Sequence, residues 1–499
     1  MHKPIIYQIL PRLWGNNTQT PVKDGTLSQN GTGKFSDIDS ETLDYIKWLG
    51  CSHVWYTGVL RHSTKTSEGG CIPSHPQFVK GKAGSPYAIC DYYDVNPYLA
   101  DNPNDRVAEF EQLIKRSHEA GLKVIIDFVP NHVARDYGKT AMSEGHPVLG
   151  AYDDRSVHWK AENDFFYYVG ESLTLPTPVP EGMKPYEETP AMATGNNCYS
   201  PTPGINDWYE TVKINYGDEH TATWDRMYDI IEFWASKGVD GFRCDMAMLV
   251  PIEFWQEARK VLHAIKPDVF MLAEAEELNL FDKAFDMGYA WEIHHMMCDI
   301  AKGERRVWDL RNTMYADRER YPQSAMRMMF TSNHDENSWS GSEQSRFGEA
   351  LEVMTALTFL WEASMPLLYT GQEMGYDHSF LFFDKDAIPE EYQQKEYSQL
   401  YRKLIQLKHS QAALQAGERG GRIIEIENNA KDCLMTIVRE VEGSRVVAIL
   451  NLSPYTIHAN YNNGIYAGTY TDAMSGEEVI LPVHLEQDIK PWGYTILYK

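Results

Sequence analysis

The chain has no run of about 18 apolar residues, so no transmembrane helix is expected. It has no C-x-x-C pair either. Its seven cysteines (51, 71, 90, 198, 244, 298, 433) are odd in number and scattered, which speaks against a disulfide framework and suits reduced thiols. The opening MHKPIIYQILPRLWG lacks the h-region and small-residue cleavage site of a signal peptide, so a cytoplasmic protein is expected. Cations are scarce: 46 Lys and Arg stand against 71 Asp and Glu, a formal net charge of −25. Nucleic acid and anionic membranes both want a basic surface, so neither is expected as a partner. Aromatics, by contrast, reach 12%, with 13 Trp and 30 Tyr, enough to supply both a core and flat faces for a ligand. With 43% apolar residues and a length of 499, the chain should pack well and divide into two or three domains.

Eight short apolar segments end in polar residues: 5–14, 51–59, 123–132, 239–247, 269–277, 283–291, 327–337 and 365–375. Helix-like stretches with apolar spacing of three to four lie between them, as in DRVAEFEQLIKRSHEAG (105–121), which stops at a glycine. Eight strands alternating with helices predict a parallel sheet closed as a (β/α)8 TIM barrel. The interval from His132 to Arg243 leaves roughly 80 residues beyond one barrel unit. That excess, rich in Pro, Gly, Asn, Thr and Tyr, reads as an inserted subdomain after strand 3. After the helix-like 396–414 come short β-like runs to the end, as expected of a C-terminal β-sandwich. The expected division is barrel 1–132, insert 133–212, barrel 213–414 and C-terminal domain 415–499.

Reacting groups of such barrels sit at the C-terminal strand ends. Those ends offer Asp127, Asn131 and His132 on the third strand, Arg243 and Asp245 on the fourth, Glu274 on the fifth, and His334 and Asp335 on the seventh. Residues i and i+2 of a strand share a face, so Arg243 should hold Asp245 ionised. Negative neighbours would push another carboxyl towards its protonated form. One ionised carboxylate beside one protonated carboxyl is the pair that cleaves a glycosidic bond with retention. Glu276 shares a face with Glu274 and competes for its place. A metal-dependent hydrolase using Asp127, His132, His334 and Asp335 is a rival reading. The adjacent His294 and His295 read as surface residues on opposite sides of a strand.

The motifs DFVPNH, GFRCD, LAEAEE and FTSNHDEN, in this order, resemble the four short conserved regions of the α-amylase family, glycoside hydrolase family 13. GSPYAICDYYDVNP (84–97), VKINYGD (212–218), MPLLYTGQEMG (365–375) and PWGYTILYK (491–499) extend the resemblance over nearly the whole chain. It implies that Asp245 is a nucleophile forming a covalent glycosyl-enzyme, Glu274 the general acid/base, and Asp335 the group that grips the sugar hydroxyls. It further implies that His132 and His334 bond the same sugar, that Arg243 orients Asp245, that Tyr87 stacks on the ring, and that Asp127 and Asn131 support the site from below. The implied activity is retaining hydrolysis of α-1,4 bonds in starch, glycogen or maltooligosaccharides. A transglycosylase with the same residues, or a noncatalytic sugar-binding homologue, are the alternatives. No cofactor is required by this chemistry. The family also implies a structural calcium with Asn131 among its ligands. Met248 and Leu249 stand where many members carry Lys-His, a departure that weakens the calcium pattern and touches the leaving-group side.

Overall fold

The computed structural model describes residues 4–18, 21–140, 142–388 and 397–499. A strand lies in or overlaps each of the eight apolar segments: β1 (Ile6–Ile9), β2 (His53–Tyr56), β3 (Lys123–Phe128), β4 (Gly241–Cys244), β5 (Phe270–Ala273), β6 (Met287–Tyr289), β7 (Met326–Met329) and β8 (Ser364–Tyr369), the last two starting one residue early. They close in chain order, every pair parallel, with β8 returning to β1. Nearly every position on these strands is buried, because side chains fill the barrel on one face and meet helices on the other. The helices supply matching stripes. Phe110, Leu113, Ile114 and Ser117 are the buried face of Arg106–Glu119, and Phe254, Trp255, Ala258 and Leu262 that of Ile252–Ile265. The helix expected over 396–414 is observed as Ser398–Ser410; Glu396 lies outside the described residues.

Register places the chemistry. Arg243 on β4 lies beside Asp127 on β3 and Leu272 on β5. Asp245 and Glu274 follow the last strand residues, yet their amides still bond to the neighbouring strands, at the carbonyls of Phe128 (2.9 Å) and Cys244 (3.0 Å). Both carboxylates therefore leave the sheet from a backbone held on one side.

Between β3 and β4 the chain departs and returns through an antiparallel ribbon, His132–Ala134 against Thr211–Lys213. Only one further strand pair, Tyr167–Tyr168 with Ala191–Met192, is found among the described residues of this excursion. Polar anchors do much of the work there. Buried Arg135 bonds Glu188 and the Tyr209 carbonyl at 2.6 Å each, and Arg226 of helix Ala222–Ser236 grips Asp164 at 2.7 and 2.9 Å. The C-terminal strands begin at Ile423. They form a six-stranded antiparallel sheet and a separate two-stranded ribbon, Ile457–Asn462 with His484–Ile489. Leu434, Val438, Val447 and Leu497 of the sheet share an apolar cluster with Ala459, Tyr461 and Leu485 of the ribbon, so the two pack face to face.

Candidate active site

Arg243 is fully buried at the C-terminal mouth of the barrel and touches three carboxylates. Its Nη1 lies 2.8 Å from Asp245 Oδ1 and 3.4 Å from Asp127 Oδ1, and its Nη2 lies 2.7 Å from Glu274 Oε1. A guanidinium keeps its charge at any accessible pH and offers a rigid fork, so it fixes Asp245 and Glu274, its two nearest carboxylates, in direction as well as charge. Its faces meet the rings of Trp55, Tyr87 and Tyr289 at 5.2–5.8 Å, and Nε donates to the Tyr289 hydroxyl at 3.3 Å. The second oxygens differ. Asp245 Oδ2 is buried with no hydrogen-bond partner, whereas Glu274 Oε2 accepts the Met246 amide at 2.9 Å. Met246 reaches that bond from a left-handed conformation (φ 45°), a strained state for a non-glycine residue directly after Asp245.

Burial raises all four carboxyls. Asp127 and Asp245 rise to about 6, held there against a further rise by Arg243. Glu274 rises to about 7 through burial, restrained by Arg243 and pushed by Asp245. Asp335 also rises to about 7, through burial and the nearby charge of Glu274. The histidines go the other way: burial drives His132 down to about 3 and His334 well below its ordinary value, so both are neutral donors or acceptors.

Asp127, Asn131, His132, Arg243, Asp245, Glu274, His334, Asp335 and Tyr87 lie in this mouth or beside it. Asp335 lies in the first turn of the helix His334–Trp339 capped by Asn333, whose Oδ1 takes the Asp335 amide at 3.0 Å, and His334 Nε2 lies 3.3 Å from Asp335 Oδ2. Tyr87 bonds His334 through its hydroxyl and reaches Asp127 at 3.3 Å. Asp127 takes Trp55 Nε1 and the Gly58 amide at 3.2 Å each. His132 is held by Asn131, whose amide also donates to the Gly195 carbonyl at 2.8 Å. Between the competing glutamates the geometry discriminates. Glu276 pairs with Arg327 and accepts the Glu292 amide, away from Arg243.

One expectation is corrected. His294 and His295 lie on the helix Trp291–Lys302, not on a strand, and His294 is buried against Phe330 and Glu336 rather than at the surface. Apolar residues at 293, 296, 297 and 300 carry that helical period.

Several neighbours went unread in the sequence. Tyr289 ends β6 facing Arg243, which only the sheet register reveals. Phe382 stacks over Tyr87 and His334 at 20° and 21°, and exposed Trp339 packs against it, so an aromatic rim runs outward from the site. Lys213 is the other. Its buried ammonium bonds Asn131 Oδ1 and lies 3.4 Å from the Leu249 carbonyl. A calcium ion needs six to eight oxygen ligands, and here a fixed cation already takes the oxygens of Asn131 and Leu249. Among the described residues no group of three or more His, Cys, Asp or Glu is placed to hold a metal. The residues present do not fit calcium at this position.

Comparison with known proteins bears on family and fold. A family model described as the alpha amylase catalytic domain matches residues 8–413. Alpha-amylase MalA of Haloarcula japonica is 26% identical over 451 residues, covering 88% of this chain and 55% of its own length. Neopullulanase 2 of Thermoactinomyces vulgaris is 23% identical, covering 95% and 74%. The chain thus spans little more than half of the first relative. In fold, the maltogenic alpha-amylase AmyB of Thermotoga neapolitana superposes with a TM-score of 0.72 at 19% identity, over 99% of this chain and 98% of that one. By the reach of the family match over its barrel and insert, the chain belongs to the alpha-amylase family.

Proposed function

We propose that the protein is a retaining glycosidase that hydrolyses α-1,4 bonds of maltooligosaccharides or related α-glucans. The observation that carries this reading is the asymmetry about Arg243. Asp245 is anchored by one oxygen and leaves the other free, while Glu274 holds a raised pKa on the opposite arm of the same guanidinium. In the first step Asp245 Oδ2 attacks the anomeric carbon, the glycosidic C–O bond breaks, and the leaving oxygen takes the proton of Glu274. In the second, the Glu274 carboxylate removes a proton from water, whose oxygen attacks the same carbon and releases Asp245. One water is consumed and Glu274 regains its proton. Asp335, with neutral His334 and His132, would bind the hydroxyls of the reacting sugar, and Tyr87 with Phe382 would face its ring. Names of relatives, including cyclomaltodextrinases and a neopullulanase, agree with an α-glucan as substrate.

The test is a product time course on maltoheptaose. Wild type should release short maltooligosaccharides early, Asp245→Asn should release almost none, and Glu274→Gln should lose roughly 10²–10⁴-fold in rate. Products longer than the substrate would move the assignment to transglycosylation, and no change with wild type would end the α-1,4 reading. Because Lys213 fills the cation position, turnover and melting temperature should be unchanged after EDTA treatment; a fall reversed by calcium would contradict that account.

A further inference from the structure

We propose that the opposite, N-terminal face of the barrel carries a second binding site, for a phosphorylated small molecule. A cavity of about 1480 Å³ opens there, lined where β2, β3 and β7 begin by His53, Lys123 and Met326, and closed on one side by residues 415–419 leading to the C-terminal sheet. Small-molecule sites commonly occupy about 300–1,000 Å³, so a phosphorylated metabolite has ample room. The wall is cationic in a chain that is strongly acidic. Lys123, Lys260, Lys283 and Arg419 all line it, and none of them makes an ion pair among the described residues. The acids there cannot balance them. Asp286 is taken up by Arg259, through two bonds of 2.6 and 2.7 Å, which leaves Glu418 alone.

Gathered like charges raise one another's energy, and a concave wall concentrates their field. In a protein with 71 acids and 46 bases, a wall with this balance departs from the composition of the whole. A second observation lies in the backbone. Lys283 is held at φ +62°, a conformation that favours glycine, at the cavity wall. Lysine ammonium groups suit phosphate as point charges, and Phe281 adds a flat apolar face beside them. A long polyanion such as nucleic acid would meet the repulsive field of the remaining surface, whereas a compact multivalent anion meets only the cavity.

The experiment is calorimetric titration of the full chain with pyrophosphate at fixed ionic strength, beside the combined variant Lys123→Gln, Lys260→Gln and Lys283→Gln. Lys260 and Lys283 are exposed and Lys123 is half-buried, so their replacement should leave the fold intact. Saturable binding by wild type, weakened at least tenfold in the variant with maltoheptaose turnover unchanged, is the expected result. ATP and glucose 1-phosphate, run in the same way, distinguish a nucleotide from a sugar phosphate as the source. No saturable binding to any of the three, or equal binding by both proteins, overturns the proposal. Arg419→Gln, at an exposed position, gives the same reading if the triple variant loses its fold. The readout is heat of binding, so a failure of the α-glucan assignment would leave it unaffected.

Discussion

A single guanidinium at position 243 decides how much negative charge the barrel mouth can hold, and Asp335 lies beyond its direct contacts. Asp335 is pushed up to about 7 by burial and by Glu274, with Arg243 acting against them only as a more distant charge. A carboxyl whose folded pKa exceeds its unfolded value binds more protons in the fold. Its contribution is therefore full in acid and is lost as pH rises from about 4 through about 7. Asp335→Asn should accordingly abolish turnover yet stabilise the protein by about 1–3 kcal/mol at pH 8, with the gain vanishing near pH 4. Urea midpoints at the two pH values check this; a variant less stable than wild type at pH 8 would sink it. At this scale the sequence was informative where chemistry is local. Arg243 lies near the tip of β4 and Asp245 follows two residues on, its amide still bonded to the neighbouring strand, so their contact follows from extended backbone geometry alone. Tyr289 and Lys213 were not legible, because each meets its partner across strands or loops whose register no local pattern encodes.

Elements were legible in proportion to their periodicity. The barrel strands are buried on both faces and read as apolar runs that end abruptly in polar residues, so their number and order were accessible. The helix that carries His294 was missed because its first turn follows β6 with only Ala290 between, and the strand reading ran past its end. The excursion between β3 and β4 has little period to read. Its order comes from side-chain anchors such as Arg135–Glu188 and from close backbone approach. Gly195 is the clearest case of the latter: a Cβ there would lie 2.8 Å from His132 Cβ and 2.6 Å from Thr211 Oγ1. Gly195→Ala should thus displace the ribbon that carries His132, raising KM for maltoheptaose and costing about 1–3 kcal/mol in stability. Unaltered kinetics and stability would mean that the excursion does not position His132.

At the level of the whole molecule, the question is whether the C-terminal sheet is an appendage or part of the barrel's stability. Apolar packing argues for the second. Ile423, Met435, Ile437, Val446, Ala448 and Ile496 belong to the same buried cluster as the barrel strands and helices. Polar contacts point the same way. Buried Arg439, on the strand Leu434–Val441, donates to the carbonyls of Leu360 and Trp361 at 2.9 Å each and to that of Gly421, spanning the helix before β8 and the segment entering the sheet. Burial, with the Arg318 cation adding to it, drives its pKa down to about 10, and the nearby Glu362 carboxylate opposes this only in part, so the fold accepts a costly cation to satisfy these carbonyls. Arg439→Met keeps the apolar stem but strands the buried acceptors, at a cost of about 3 kcal/mol or more. Because the core is continuous, the destabilised protein should still lose barrel and sheet in one transition, at a lower temperature. Calorimetry beside a catalytic assay during heating tests this: activity should vanish with the single heat peak. Two resolved peaks, with activity following only one, would show that the sheet folds independently of the barrel that carries the carboxylates.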